Sequence, residues 1–102
     1  ETLVSLECKF AQVTDEGVIA LKSAKGIQVL GLSGRPITGR SLEALCEFPN
    51  LNRLNIDACD RVTTDDLEYI FKMRKLRHLS RQLPAEFRER LQSRRSRLKL
   101  FP

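Results

Sequence analysis

The chain has 102 residues, 41% of them hydrophobic and 30% charged, with a formal net charge of +5, which bounds it to one small domain. Residues 1–78 carry as many acidic as basic side chains and the whole excess lies in 79–102, so the charge describes a tail and does not imply a domain that binds nucleic acid throughout. No run approaches the ~18 consecutive apolar residues of a membrane-spanning helix, and Glu1 opens without a signal-peptide pattern or an initiator Met, as expected of a fragment or a processed form.

The first unit reads as a strand with Val4 and Leu6 inward, then a loop through Phe10 and Val13, then a helix from Thr14 carrying Val18 and Leu21, with Lys25 and Gly26 ending it. The second repeats the scheme. Leu30 and Leu32 alternate inward, Gly34 and Pro36 mark a turn, Thr38 caps a helix whose buried stripe is Leu42, Leu45 and Phe48, and Pro49 and Asn50 close it. In the third, Leu54 and Ile56 precede a cap at Thr63 or Thr64 and a helix with Leu67, Ile70 and Phe71 inward. Asp15 and Glu16, and Asp65 and Asp66, fall in first helical turns, where carboxylates oppose the positive end of the helix dipole. A catalytic pair would instead have to face across a shared cleft.

The frame Leu51-Asn52-Arg53-Leu54-Asn55-Ile56 recurs upstream as Ile27-Gln28-Val29-Leu30-Gly31-Leu32 and downstream as Leu76-Arg77-His78-Leu79. A strand, turn and helix repeated at such a period cannot bury its apolar face alone and stacks on its neighbours. The expected architecture is a short α/β solenoid of three to four units over 1–80, with parallel strands on the concave face and helices on the convex face. At Arg81, where a strand leucine is due, the period breaks. Pro84, Ala85 and Glu86 then open a helix with Phe87, Leu91 and Leu98 on one face. Residues 81–102 are accordingly expected to form a basic capping helix and tail, with Arg88, Arg94, Arg95 and Arg97 able to meet an acidic protein or RNA.

Three cysteines, Cys8, Cys46 and Cys59, form neither a disulfide framework nor a zinc pattern, which favours buried thiols in a reducing, intracellular compartment. There is no phosphate loop, no HExxH and no nucleophile elbow, so no catalytic residue, metal or cofactor is expected. A solenoid offers a surface instead. Strand parity turns the residues beside the inward leucines outward. Ser5, Gly31, Asn55 and Ser80 are expected in a central lane, Val29, Arg53 and His78 on one side, and Glu7, Ser33 and Asp57 on the other. Arg53, Asn55 and Asp57 are the leading expected contacts with a partner protein, and His78 lacks a nucleophile that would make it a base.

The stretches CKFAQVTDEGVIAL (8–21) and LNRLNIDACDRVTTDDL (51–67) resemble the cysteine-containing class of leucine-rich repeats, with its pattern LxxLxLxxC followed by (V/I)TDxxL. The resemblance spans roughly residues 3–80. It implies a non-enzymatic protein–protein interaction module, as in the substrate-recognition domains of F-box proteins and related ubiquitin-ligase adaptors of the cytoplasm or nucleus. Short arrays of similar repeats, such as the coupling factor B type of mitochondrial ATP synthase, imply the alternative of a structural or assembly subunit docked through the basic tail.

Overall fold

A computed structural model describes residues 5–7, 13–34 and 36–101. Its strands are β1 (Ser5–Glu7), β2 (Val29–Gly31), β3 (Arg53–Asn55), β4 (His78–Ser80) and β5 (Lys99–Phe101). Between them lie α1 (Asp15–Ala20) with a 3-10 turn at Leu21–Ser23, α2 (Gly39–Leu45), a 3-10 helix at Asp66–Lys72, and α3 (Ala85–Arg94). The five strands form one sheet in sequential order, every neighbouring pair parallel. Helical crossovers on one side of a parallel sheet account for that order, because each returns the chain to start the next strand alongside the last.

One leucine level runs through the sheet: Leu6, Leu30, Leu54, Leu79 and Leu100 pair strand to strand. Leu30, Leu54 and Leu79 are completely buried, as are Leu32 and Ile56 two residues on and Leu42 and Leu45 of α2 that face them. Each such side chain contributes about 1.5–3 kcal/mol by leaving water. α1 packs on α2, and α2 on the 3-10 helix, so the core is a continuous layer between sheet and helices rather than a separate centre for each unit.

Polar groups fix the helix starts and tie neighbouring units together. Thr38 caps α2 by accepting from the Arg40 amide. Thr63 and Asp66 cap each other's backbone reciprocally, Thr63 N–H donating to Asp66 Oδ2 at 2.9 Å and Asp66 N–H to Thr63 Oγ1 at 3.2 Å. Asp15 reaches across to the next unit, accepting from Thr38 N–H (2.8 Å), Thr38 Oγ1 (2.7 Å) and Ser41 Oγ (2.6 Å). It therefore holds the capping residue of α2 in place as well as opening α1. Cys59 Sγ, also completely buried, donates to the Leu32 carbonyl at 3.0 Å.

Several expectations are corrected. Leu6 lies level with Leu30, so Ser5 joins the lane of Val29, Arg53 and His78, and Glu7 joins that of Gly31, Asn55 and Ser80. Sliding a strand by two residues keeps the same faces inward, so parity could not choose between the two registers. The third unit forms a 3-10 helix, with Leu67, Ile70 and Met73 buried at intervals of three while Phe71 is only half-buried. Gly26 does not provide a left-handed terminus for the first helix; among the described residues positive φ occurs at Gly34 (72°) and Ala58 (58°). Residues 99–101 form a strand and not a tail, since β5 pairs with β4 and carries the sheet on beyond α3. The expectations for Val4, Cys8 and Phe10 fall outside the described residues.

Candidate functional site

The face of the sheet turned away from the helices carries two lanes of aligned side chains, Val29–Arg53–His78–Lys99 and Gly31–Asn55–Ser80–Phe101. Between them lies a hollow of about 290 Å³ lined by Val29, Arg53, Asn55, His78, Ser80 and Phe101 over Leu30 and Leu54. Arg53 is exposed at one side. Phe101 is 44% exposed at the other and stacks on the His78 ring, with centroids 5.9 Å apart and planes 23° from parallel.

A polar chain steadies the rim. Asp57 N–H donates to Asn55 Oδ1 at 3.0 Å, and the Ser80 hydroxyl donates to Asp57 Oδ2. Asn55 is thus oriented with its amide NH2 left to donate, while Asp57 and Ser80 are already engaged with one another. His78 Nδ1 is shielded and has no partner among the described residues. Burial, then the charges of Arg53, Lys99 and Arg77, hold the imidazole below its ordinary pKa, so it is neutral at pH 7. It can offer a flat, uncharged surface beside a guanidinium. Gly31 is buried, and Ser33 is exposed beyond the strand end.

Sequence reasoning missed Lys99 and Phe101 on this face. Leu30, Leu54 and Leu79 are spaced by 24 and 25 residues, but Leu100 follows after only 21. That shortened unit, with Arg81 in place of its leucine, hid the fifth strand.

The tail arginines have different environments. Arg95 is spent internally, a correction to its expected contact role: Nη1 donates to the Ile70 carbonyl at 3.2 Å, and Nη2 to those of Met73 (2.9 Å), Arg74 (3.2 Å) and Leu76 (2.9 Å). Burial lowers its pKa, without approaching neutrality. Arg94 lies over the Phe71 ring at 5.2 Å, Arg88 is half-buried and Arg97 is exposed. Arg90 pairs with Glu68 at 2.8 Å and covers Phe71 and Phe87. Among the described residues no group of three or more His, Cys, Asp or Glu side chains is placed to hold a metal ion, and no helix is long and apolar enough to cross a membrane.

No protein-family model matches the chain, and no curated protein matches it. Four solved chains do. One, described as Leiomodin-1 Actin-Binding Site 2 (ABS2), superposes with a TM-score of 0.72 at 19% identity, covering 93% of this chain and 63% of that one. At that identity the likeness is one of fold. The chain spans less than two thirds of this neighbour's length.

Proposed function

We propose that the protein is a short leucine-rich-repeat solenoid of the cysteine-containing class and acts without catalysis, as a module that binds another protein on the open sheet face. The repeat assignment is supported by the level leucines and by Cys59, which ties one coil to the carbonyl of the one before. The observation that carries the functional reading is the hollow at Arg53, Asn55, His78 and Phe101, because it joins charge, hydrogen-bond capacity and exposed aromatic surface on a rigid sheet. Arginine and aromatic residues supply a disproportionate share of binding energy at protein interfaces. The neighbour described as an actin-binding site gives a protein-binding use of this architecture. A substrate-recognition role within an intracellular ubiquitin-ligase adaptor is the use that the repeat class suggests.

The test is quantitative affinity capture with wild-type protein and an Arg53→Glu/Phe101→Ser double variant, with purified actin as a separate arm. Loss of captured partners by about tenfold or more, at an unchanged thermal midpoint, supports the face. Equal capture by both proteins overturns it. Recovery of ubiquitin-ligase scaffold subunits with the wild type alone supports the adaptor role.

A further inference from the structure

A second hollow, of about 330 Å³, lies where the segment before β4 meets the end of α3, and Arg74, Arg77, Arg94, Arg95 and Arg97 line it with Leu76, Ser96 and Leu98. No carboxylate is among its lining residues. Three cations elsewhere on the described surface are answered by anions: Lys22 pairs with Glu47, Arg40 with Glu16, and Arg90 with Glu68. Arg74, Arg77 and Arg97 have no such partner among the described residues. Arg95 explains how the cluster is held together. Its guanidinium grips the carbonyls of Met73, Arg74 and Leu76, fastening the end of α3 to the loop that bears Arg74 and Arg77. The helix end alone accounts for Arg94, whose charge suits the negative end of the dipole. It does not account for Arg74, Arg77 and Arg97, which come from outside the helix.

We infer that this hollow binds the phosphoryl group of a phosphorylated side chain on the partner protein, a step that rests on the protein-binding reading above. Guanidinium groups match phosphoryl oxygens in bidentate pairs, and like charges gathered without a counter-ion relax their mutual repulsion when a dianion enters. No aromatic side chain lines the hollow, so it suits a phosphoryl group better than a nucleic-acid strand, which would need surfaces on which bases stack. Arg74, Arg77, Arg94 and Arg97 supply the contacts; Arg95 is the positioning residue.

The experiment is an amide-shift titration of the full chain with N-acetyl-phosphoserine amide, N-acetyl-glutamate amide and inorganic phosphate, alongside a ten-nucleotide oligouridylate. The inference expects saturable shifts confined to 74–77 and 94–98. The phosphoserine probe should bind about tenfold or more tightly than the glutamate probe, and Arg77→Gln or Arg97→Gln should each cost roughly another tenfold with the remaining spectrum unmoved. Inorganic phosphate binding as tightly as the phosphoserine probe would overturn the phosphorylated-side-chain assignment in favour of a free anion. Shifts spread over Lys22, Arg40 and Arg53 would overturn the site altogether. Oligouridylate binding with a salt dependence of several released ions, lost in the same variants, would replace the reading with an RNA site. The Arg53→Glu/Phe101→Ser variant separates the two proposals: losing partner capture while keeping the phosphoserine shifts leaves this hollow intact.

Discussion

The early and late units close the same position by opposite means. After β2 and β3 the next inward residues are Leu32 and Ile56, completely buried, and their amides bond to the following strand at Asn55 and Ser80. After β4 the residue at that position is Arg81, whose amide makes the equivalent bond to Phe101. Its guanidinium turns back to the preceding unit, donating to the carbonyls of Cys59 and Val62 at 2.9 Å and of Ile56 at 3.4 Å. Arg95 does the same one layer on, gripping carbonyls from Ile70 to Leu76. An aliphatic side chain gains by leaving water. An arginine can stand in the same frame because turn carbonyls, each with two lone pairs, receive its donors. Part of the basic tail is therefore structural, and net charge alone overstates the number of arginines offered to a partner.

Arg81→Met puts that contrast to its hardest test. The replacement keeps an apolar stem but leaves the Val62 carbonyl without its donor and the Ile56 and Cys59 carbonyls with a backbone amide alone, so unfolding free energy should fall by about 1–3 kcal/mol, read from the urea midpoint at constant slope. A loss below about 0.5 kcal/mol would mean that water satisfies those carbonyls equally well and that the guanidinium is dispensable.

The Asp15 knot gives a smaller effect with a pH signature. Burial works against its charge, but hydrogen bonds from Ser41 and Thr38 and the Arg40 guanidinium outweigh it, and the carboxyl lies below its usual range. The unfolded chain therefore takes up a proton first as pH falls. The stabilisation is fully present above about pH 4–5 and is lost on acidification through the unfolded and then the folded pKa. Asp15→Asn should cost about 1–2 kcal/mol at pH 7 and flatten the acid limb of the stability curve below about pH 5. An unchanged acid slope would place the titration elsewhere. Gly39, beside Thr38, meets the unit on the other side, since a Cβ there would collide with the Asp66 carboxylate.

These particulars set what the sequence could show. The parallel strands of the second, third and fourth units were legible because the leucine frame repeats at nearly constant spacing, and Thr38 declared its cap by type and position. The strand register at Leu6 was not, because a two-residue slide conserves parity. β5 was obscured by a shortened unit whose defining leucine is an arginine, and with it went Phe101 and Lys99 of the candidate face. The arginine hollow was visible only as a basic tail, since Arg74 and Arg77 reach it through tertiary packing from a different stretch of chain.

The smallest effect compares two turns that each carry a positive φ. Gly34 and Ala58 occupy equivalent positions after β2 and β3, and both have positive φ, 72° and 58°. Alanine in that region carries a steric cost of about 1–2 kcal/mol, partly offset because glycine loses more entropy on folding. Ala58→Gly should therefore stabilise the protein by about 0.5–1 kcal/mol, raising Tm by roughly 2–8 °C for a domain of this size. Gly34→Ala should destabilise it by a similar amount, because a Cβ there meets nothing within 4 Å and the penalty is that of the backbone alone. Opposite and nearly equal changes would establish that one turn conformation closes both units. A stabilising Gly34→Ala would show that the turn after β2 abandons positive φ, and the equivalence of the two units at that point would fail.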